Sequence, residues 1–149
     1  EIPLRLVGSE MCIRDSLKLG PGGLSDIEWT AQIIQLQHAG HDPALRTTST
    51  IDALNAALAA GYIDEGQHAK LCDSWLAASR LRNAIMVVRG RPSDVIPSDS
   101  TDLDVIAKAS GMGQGASEHL VEDHLRHCRR ASRVVDAVFW NHSDCPRRI

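Results

Sequence analysis

The sequence predicts an all-α bundle of about five helices, and two observations carry that expectation. Strand signals are scarce: aromatic residues make up 3% of the chain, and its Val and Ile residues fall at helical spacings instead of alternating. Two long stretches each keep one apolar stripe in helical register, and the segments are separated by Gly, Pro and Ser/Asp breaks about four to ten residues long.

The first helix is expected to open at Ser25. Its hydroxyl can accept from the backbone N–H of Glu28 while the Glu28 carboxylate reaches back, a capping box. The helix runs to Ala39 and stops at Gly40. Two apolar ridges, Ile27/Ala31/Ile34 and Trp29/Ile33/Leu36, predict a central helix covered on more than one side. The second helix starts at Ser49 or Thr50, presents Ile51, Leu54 and Leu58, and ends at Gly61. The third begins at Asp64, with Gln67 three residues on, and continues to Arg89 before Gly90. Leu71, Trp75, Ala78, Leu81, Ile85 and Val88 hold one stripe for about seven turns, which makes this helix the spine. Pro92 and Pro97 break the linker Arg91–Ser100. A short helix over Thr101–Ser110 follows. The last is expected to be capped by Ser117 and to run to Trp140 with Val121, Leu125, Cys128, Ala131, Val135 and Val138 inward, leaving 141–149 as a frayed tail.

A length of 149 residues allows one domain. The balance of 16 Lys+Arg against 19 Asp+Glu argues against a basic nucleic-acid or membrane-surface binder. Residues 1–75 carry 5 basic and 10 acidic side chains and residues 76–149 carry 11 and 9, an asymmetry too small to imply a polyanion partner. Cys12, Cys72, Cys128 and Cys145 are scattered without paired spacing, as expected of reduced thiols in a cytoplasmic protein. No apolar run reaches the length of about 18 residues that spans a bilayer, and no secretory signal pattern opens the sequence.

The most unusual stretch is Lys18-Leu-Gly20-Pro21-Gly22-Gly23-Leu24-Ser25-Asp26-Ile27-Glu28. A glycine-rich loop that runs straight into a helix can turn backbone N–H groups and the positive end of the helix dipole toward a phosphate. Lys18 would add a point charge, and Asp26 and Glu28 would hold a cation or complement the dipole. The same residues also make an ordinary tight turn, and the spacing matches neither the P-loop nor the dinucleotide fingerprint. His68/Cys72 and His124/Cys128 are two (i, i+4) pairs with zinc-ligand chemistry. Cys128 sits in an apolar stripe, however, and His119, His124 and His127 crowd a face expected to be solvated, so no metal is expected. Arg80, Arg82, Arg89 and Arg91 gather near the end of the third helix, where cations suit the dipole.

The run Lys18-Leu-Gly-Pro-Gly-Gly-Leu-x-Asp26-Ile-Glu28-Trp29 resembles the junction between transferase core and helical domain in the glutamine synthetase adenylyltransferase family. Further matches follow in order: Leu45-Arg-Thr-Thr-Ser-Thr-Ile-Asp-Ala-Leu54, Ala60-Gly-Tyr-Ile63, Trp75-x-x-Ala-Ser-Arg-Leu-Arg-Asn83, Val88-Arg-Gly-Arg91, Ser93-Asp-Val-Ile-Pro97, and Arg129-Arg-Ala-Ser-Arg133 through Val138-Phe-Trp140. They look actinobacterial and cover 17–140. The resemblance implies the helical domain that follows a nucleotidyltransferase core, in an enzyme moving AMP from ATP, with magnesium, to a tyrosine of glutamine synthetase. The ending resembles that of the C-terminal, adenylylating unit. Implied partners are glutamine synthetase, the PII signalling protein and the nucleotidyltransferase lobe, with no nucleic acid and no membrane. Lys18, Gly20, Gly22 and Gly23 would lie near nucleotide phosphates. Ser25, Asp26 and Glu28 would order the loop or approach substrate, and Arg80, Arg82 and Asn83 would serve structure or a partner surface.

The family's Gly-Ser turn and paired aspartates, which hold magnesium, have no counterpart: Gly8-Ser9 leads into Glu10-Met-Cys-Ile-Arg-Asp15 without an Asp-x-Asp pair. No catalytic residue is therefore assigned, and the isolated chain is expected to be inactive. Residues 1–16 look like a translated sequencing-linker segment and are set apart as non-native. A PII uridylyltransferase relative shares the Gly-Pro-Gly-Gly-Leu loop, but Asp26-Ile-Glu28-Trp29 favours the adenylyltransferase. A non-catalytic module that binds glutamine synthetase or PII through its helical faces is the alternative from a different class.

Overall fold

Side chains that satisfy the free N–H groups of a first helical turn fix where most of the helices begin. In the computed structural model, which describes residues 16–113 and 115–140, the helices are α1 (Leu24–His38), α2 (Thr50–Ala59), α3 (Glu65–Arg89), α4 (Ser100–Ala109) and α5 (Ser117–Trp140). Ser49 Oγ accepts from the Asp52 N–H to start α2. Asp64 and Gln67 form the expected capping box of α3, and Gly90 ends that helix in the left-handed region. Asp99 caps α4 by accepting from the Thr101 N–H. A 3-10 turn, Pro43–Leu45, joins α1 to α2. Among the described residues there is no strand, only a single bridge between Ser16 and Val95. No helix there is long and apolar enough to cross a membrane.

The all-α bundle is the observed fold, and α3 is its spine, lying antiparallel along α5 with Ser74 level with Cys128 and Leu81 level with His124. Two apolar clusters share this pair. One joins α1, α2 and the first half of α3 to the end of α5, through Ile27, Ile34, Leu45, Leu54, Leu71 and Val135. The other joins the second half of α3, α4 and the start of α5, through Leu17, Leu81, Ile85, Ile106 and Leu120. Complete burial of a Leu or Ile side chain stabilises a fold by roughly 1.5–3 kcal/mol, so these two clusters account for much of its cohesion.

Several local expectations are corrected. Ser25 does not cap α1: Gly23 occupies the cap without a side-chain bond, and Ser25 is buried one residue inside the helix, its N–H donating to the Lys18 carbonyl. The ridge Trp29/Ile33/Leu36 is not covered, because Trp29 is 54% and Leu36 85% exposed; α1 packs mainly through Ile27, Ala31 and Ile34. On α3 the inward stripe runs Leu71, Ser74, Ala78, Leu81, Ile85, with Trp75 at its flank. Ser117 is the first residue of α5 and not its cap, since the Ala116 carbonyl already takes a bond from the Leu120 N–H. The inward face of α5 is Leu120, His124, Cys128, Ala131 and Val135, so Val121 and Leu125 are only partly covered and His124 is buried, not solvated. The expectations for residues 1–15 and for the tail 141–149 lie outside the described residues. Ser16, placed with the first segment, is an integral part of the loop described next.

Candidate functional site

The glycine loop is wedged into the groove between α3 and α5 at mid-length. Gly22 has φ +72, and a Cβ there would lie 2.1 Å from the Cys128 carbonyl oxygen and 2.9 Å from the Ser132 nitrogen, so only glycine lets the loop touch the α5 backbone. From the other side the buried Ser74 hydroxyl donates to the Gly22 carbonyl at 3.2 Å. A Cβ on Gly23 would meet the Gly20 and Leu17 carbonyl oxygens at 2.8 Å.

The loop's amides are used within the protein. The Leu19 N–H donates to Ser16 Oγ at 3.0 Å, Gly20 N–H to the Ser16 carbonyl at 3.1 Å, and Gly22 N–H to Asp26 Oδ2 at 2.8 Å. Gly23 N–H donates to the Gly20 carbonyl at 2.8 Å, and Leu24 N–H to the Leu17 carbonyl at 3.0 Å. Of the two readings the sequence leaves open, a phosphate cradle and an ordinary tight turn, the N–H bonding of Gly20, Gly22 and Gly23 has the form of the tight turn. Gly20, Gly22 and Gly23 are buried packing positions, and Asp26 orders the loop through the Gly22 amide. Lys18 is exposed at the loop's edge and forms no ion pair among the described residues. The loop is anchored onward by the Leu17 N–H, which donates to the Asp94 carbonyl at 2.7 Å. Arg82 approaches Asp94 Oδ1 at 2.6 Å as an ion pair lying off the line of a hydrogen bond. Arg82 thus ties α3, the linker and the loop together, whereas Asn83 and Arg80 are exposed, Arg80 at the rim of an open cavity between α3 and α5.

Glu28 points elsewhere, into a polar cavity of about 320 Å³ shared with Gln32, Gln35 and Thr47–Thr50. The hydroxyl-rich run Thr47–Thr50 forms one wall of this cavity. Gln35 Nε2 donates to the Leu45 and Thr47 carbonyls at 2.7 and 2.8 Å, and Arg46 Nε donates to the Ala39 carbonyl at 2.8 Å, closing the end of α1. Sequence reasoning missed the cavity, although four consecutive hydroxyl residues running into the first turn of a helix were its visible signal.

Beneath the loop lies Cys128, and Cys72 is buried elsewhere on α3 beside His68. Burial pushes Cys128 up to about 11, with the Ser74 side chain working the other way and Asp26 adding to the rise. Burial, with Asp73 beside it, also raises Cys72. His124, 4% exposed, is held at about 4 by burial first and by His127 second, so its imidazole is neutral. Cys72 Sγ lies 3.3 Å from His68 Nε2, and Cys128 Sγ 3.5 Å from His124 Nε2. No three His, Cys, Asp or Glu side chains gather for a metal ion among the described residues.

Fold and loop together define the chain as an all-α domain whose glycine-rich entry loop is clamped between its two long helices. A family model described as GlnD PII-uridylyltransferase matches residues 5–141, and the chain belongs to that family. Over 128 residues, 86% of the chain, it is 98% identical to a bifunctional glutamine synthetase adenylyltransferase/adenylyl-removing enzyme of Cutibacterium acnes. Proteins of the same name from Streptomyces avermitilis and Mycolicibacterium smegmatis are 48% and 46% identical over 83% and 82% of the chain. The chain spans about an eighth of the length of these curated relatives, 13% of the first and 12% of the other two. Within the family, these relatives favour the adenylyltransferase resemblance over the uridylyltransferase one and over a separate regulatory module.

Proposed function

We propose that the chain is the helical part of the adenylylating, C-terminal unit of a glutamine synthetase adenylyltransferase, working in the cytoplasm beside a nucleotidyltransferase lobe. The observation that carries this reading is the 98% identity over 86% of the chain to a protein so named. In the whole enzyme AMP would pass from ATP to a tyrosine of glutamine synthetase, under control by PII. Bound magnesium would supply charge neutralisation at the reacting phosphorus. The described residues do not fit that ion. Asp26 Oδ2 accepts from the Gly22 amide, and among the described residues no cluster of carboxylates stands beside it.

What this chain would contribute is position. The self-bonded loop sets the direction in which the main chain enters α1, and Lys18, exposed at its edge, would be the group nearest the nucleotide phosphates. Gly20, Gly22, Gly23, Ser25 and Asp26 keep that edge fixed against α3 and α5. Glu28, in its polar cavity, would face the acceptor side. Arg82 braces the linker, and Arg80 and Asn83 belong to the outward surface. In the full-length enzyme, Lys18→Ala should raise the KM for ATP or lower kcat; unchanged kinetics would remove Lys18 from the site. The isolated chain, lacking the Gly-Ser and Asp-x-Asp signature, should not adenylylate glutamine synthetase.

A further inference from the structure

We propose that the open cavity lined by α3, α5 and the turn after α4 is a binding site for a small oxyanionic metabolite, a carboxylate or a phosphate monoester, with Arg80 at its rim as the counter-charge. The cavity holds about 250 Å³, below the range of about 300–1,000 Å³ typical of drug-sized ligands, which limits the occupant to a small molecule. It is separate from the glycine loop, and the proposal does not depend on AMP transfer.

Two observations point to an anion. Of the three arginines on α3, Arg82 holds Asp94 and Arg89 holds Asp102 at 2.6 Å each, whereas Arg80, which lines the cavity, pairs with no carboxylate among the described residues. The one carboxylate in the wall, Asp123, is already engaged by Arg126 at 3.1 Å. Ser110 lines the same wall, but its Oγ is closed off from solvent and stands behind the cavity surface. His124 and His127 complete the polar side, and Leu81 lies on the apolar one. The buried His124 enters as a neutral imidazole, which places the positive charge of the wall on Arg80. A guanidinium fork matches both carboxylate and phosphate geometry, so the shared chemistry is a small oxyanion.

The test titrates the full chain with inorganic phosphate and separately with succinate, against chloride at matched ionic strength, following the His124 and His127 imidazole signals by NMR. Saturable shifts at these two histidines with either probe are expected, and the stronger probe identifies phosphate or carboxylate as the source. Arg80→Ala should weaken binding about tenfold, the loss of one charge-assisted contact, with an unchanged far-UV CD spectrum. Arg80→Lys, which keeps the charge and the stem, should fall between the two. The proposal is overturned if neither probe gives saturable shifts, if Arg80→Ala and Arg80→Lys both bind as tightly as the parent, or if the shifts centre on residues 18–23 instead.

Discussion

Replacing Gly22 by Ala is the sharpest single perturbation of the loop. Two costs act together there. A non-glycine residue in the left-handed region costs roughly 1–2 kcal/mol. The added Cβ would also stand 2.1 Å from the Cys128 carbonyl oxygen, which is helix backbone and cannot rotate away, so the loop must lift off α5. Overpacking of this kind typically costs about 1–3 kcal/mol, giving a total of about 2–5 kcal/mol. Gly61 supplies the internal comparison. Its φ is +77, yet a Cβ there meets nothing within 4 Å, so Gly61→Ala should cost only the conformational part, about 1–2 kcal/mol. The assay is urea unfolding of the full chain followed by far-UV CD. With a slope of about 1.5 kcal/mol/M, a 3 kcal/mol loss lowers the midpoint by about 2 M. If Gly22→Ala cost no more than Gly61→Ala, the close approach of the loop to α5 would be refuted.

Three further outcomes follow from the same geometry. Asp26→Ala leaves the Gly22 amide without its acceptor and should cost about 1–3 kcal/mol in the same urea assay, while Glu28→Ala, whose carboxylate faces a cavity, should cost much less. For His124 the folded value of about 4 lies below the ordinary 6.5, so only the unfolded chain takes up a proton between them. Stability is therefore complete above that ordinary value and falls as pH drops toward the folded one, by about 2 kcal/mol at about pH 5; His124→Leu should flatten this slope, and an unchanged slope would clear His124 of the effect. With Cys12 and Cys145 replaced by Ser, the two remaining thiols should react with Ellman's reagent far more slowly in the native chain than in urea. At about pH 8 only about one Cys128 in a thousand is thiolate, and equal rates in the two states would contradict its burial.

Helix number, order and most ends were legible because each rests on local chemistry: the Asp64/Gln67 box, the Ser49 cap and the left-handed Gly90 are decided within four residues of chain. Which face turns inward was less legible, because a stripe read only from apolar residues passes over polar groups that find partners. Ser74 and His124 both lie on the inner faces of α3 and α5, the first satisfied by the Gly22 carbonyl and the second kept neutral by burial. The glycine loop shows the same limit. Its composition announced a special turn, but only the fold reveals that its amides bond to Ser16, Asp26 and Gly20, and that its glycines permit contact with a helix distant in sequence. Trp29 and Leu36, apolar at helical spacing, lie exposed because the elements described here pack against the opposite ridge of α1.

The proposed role of this chain is to position its loop and helices beside a separate catalytic lobe, which would carry out adenylyl transfer. It is tested most directly by incubating glutamine synthetase with radiolabelled ATP, magnesium and either the chain alone or a transferase unit that joins it to a Gly-Ser and Asp-x-Asp core. The predicted result is no label on glutamine synthetase with the chain alone and clear label with the joined unit, reduced by Lys18→Ala. Label transferred by the chain alone, or a joined unit indifferent to loss of this helical part, would contradict it.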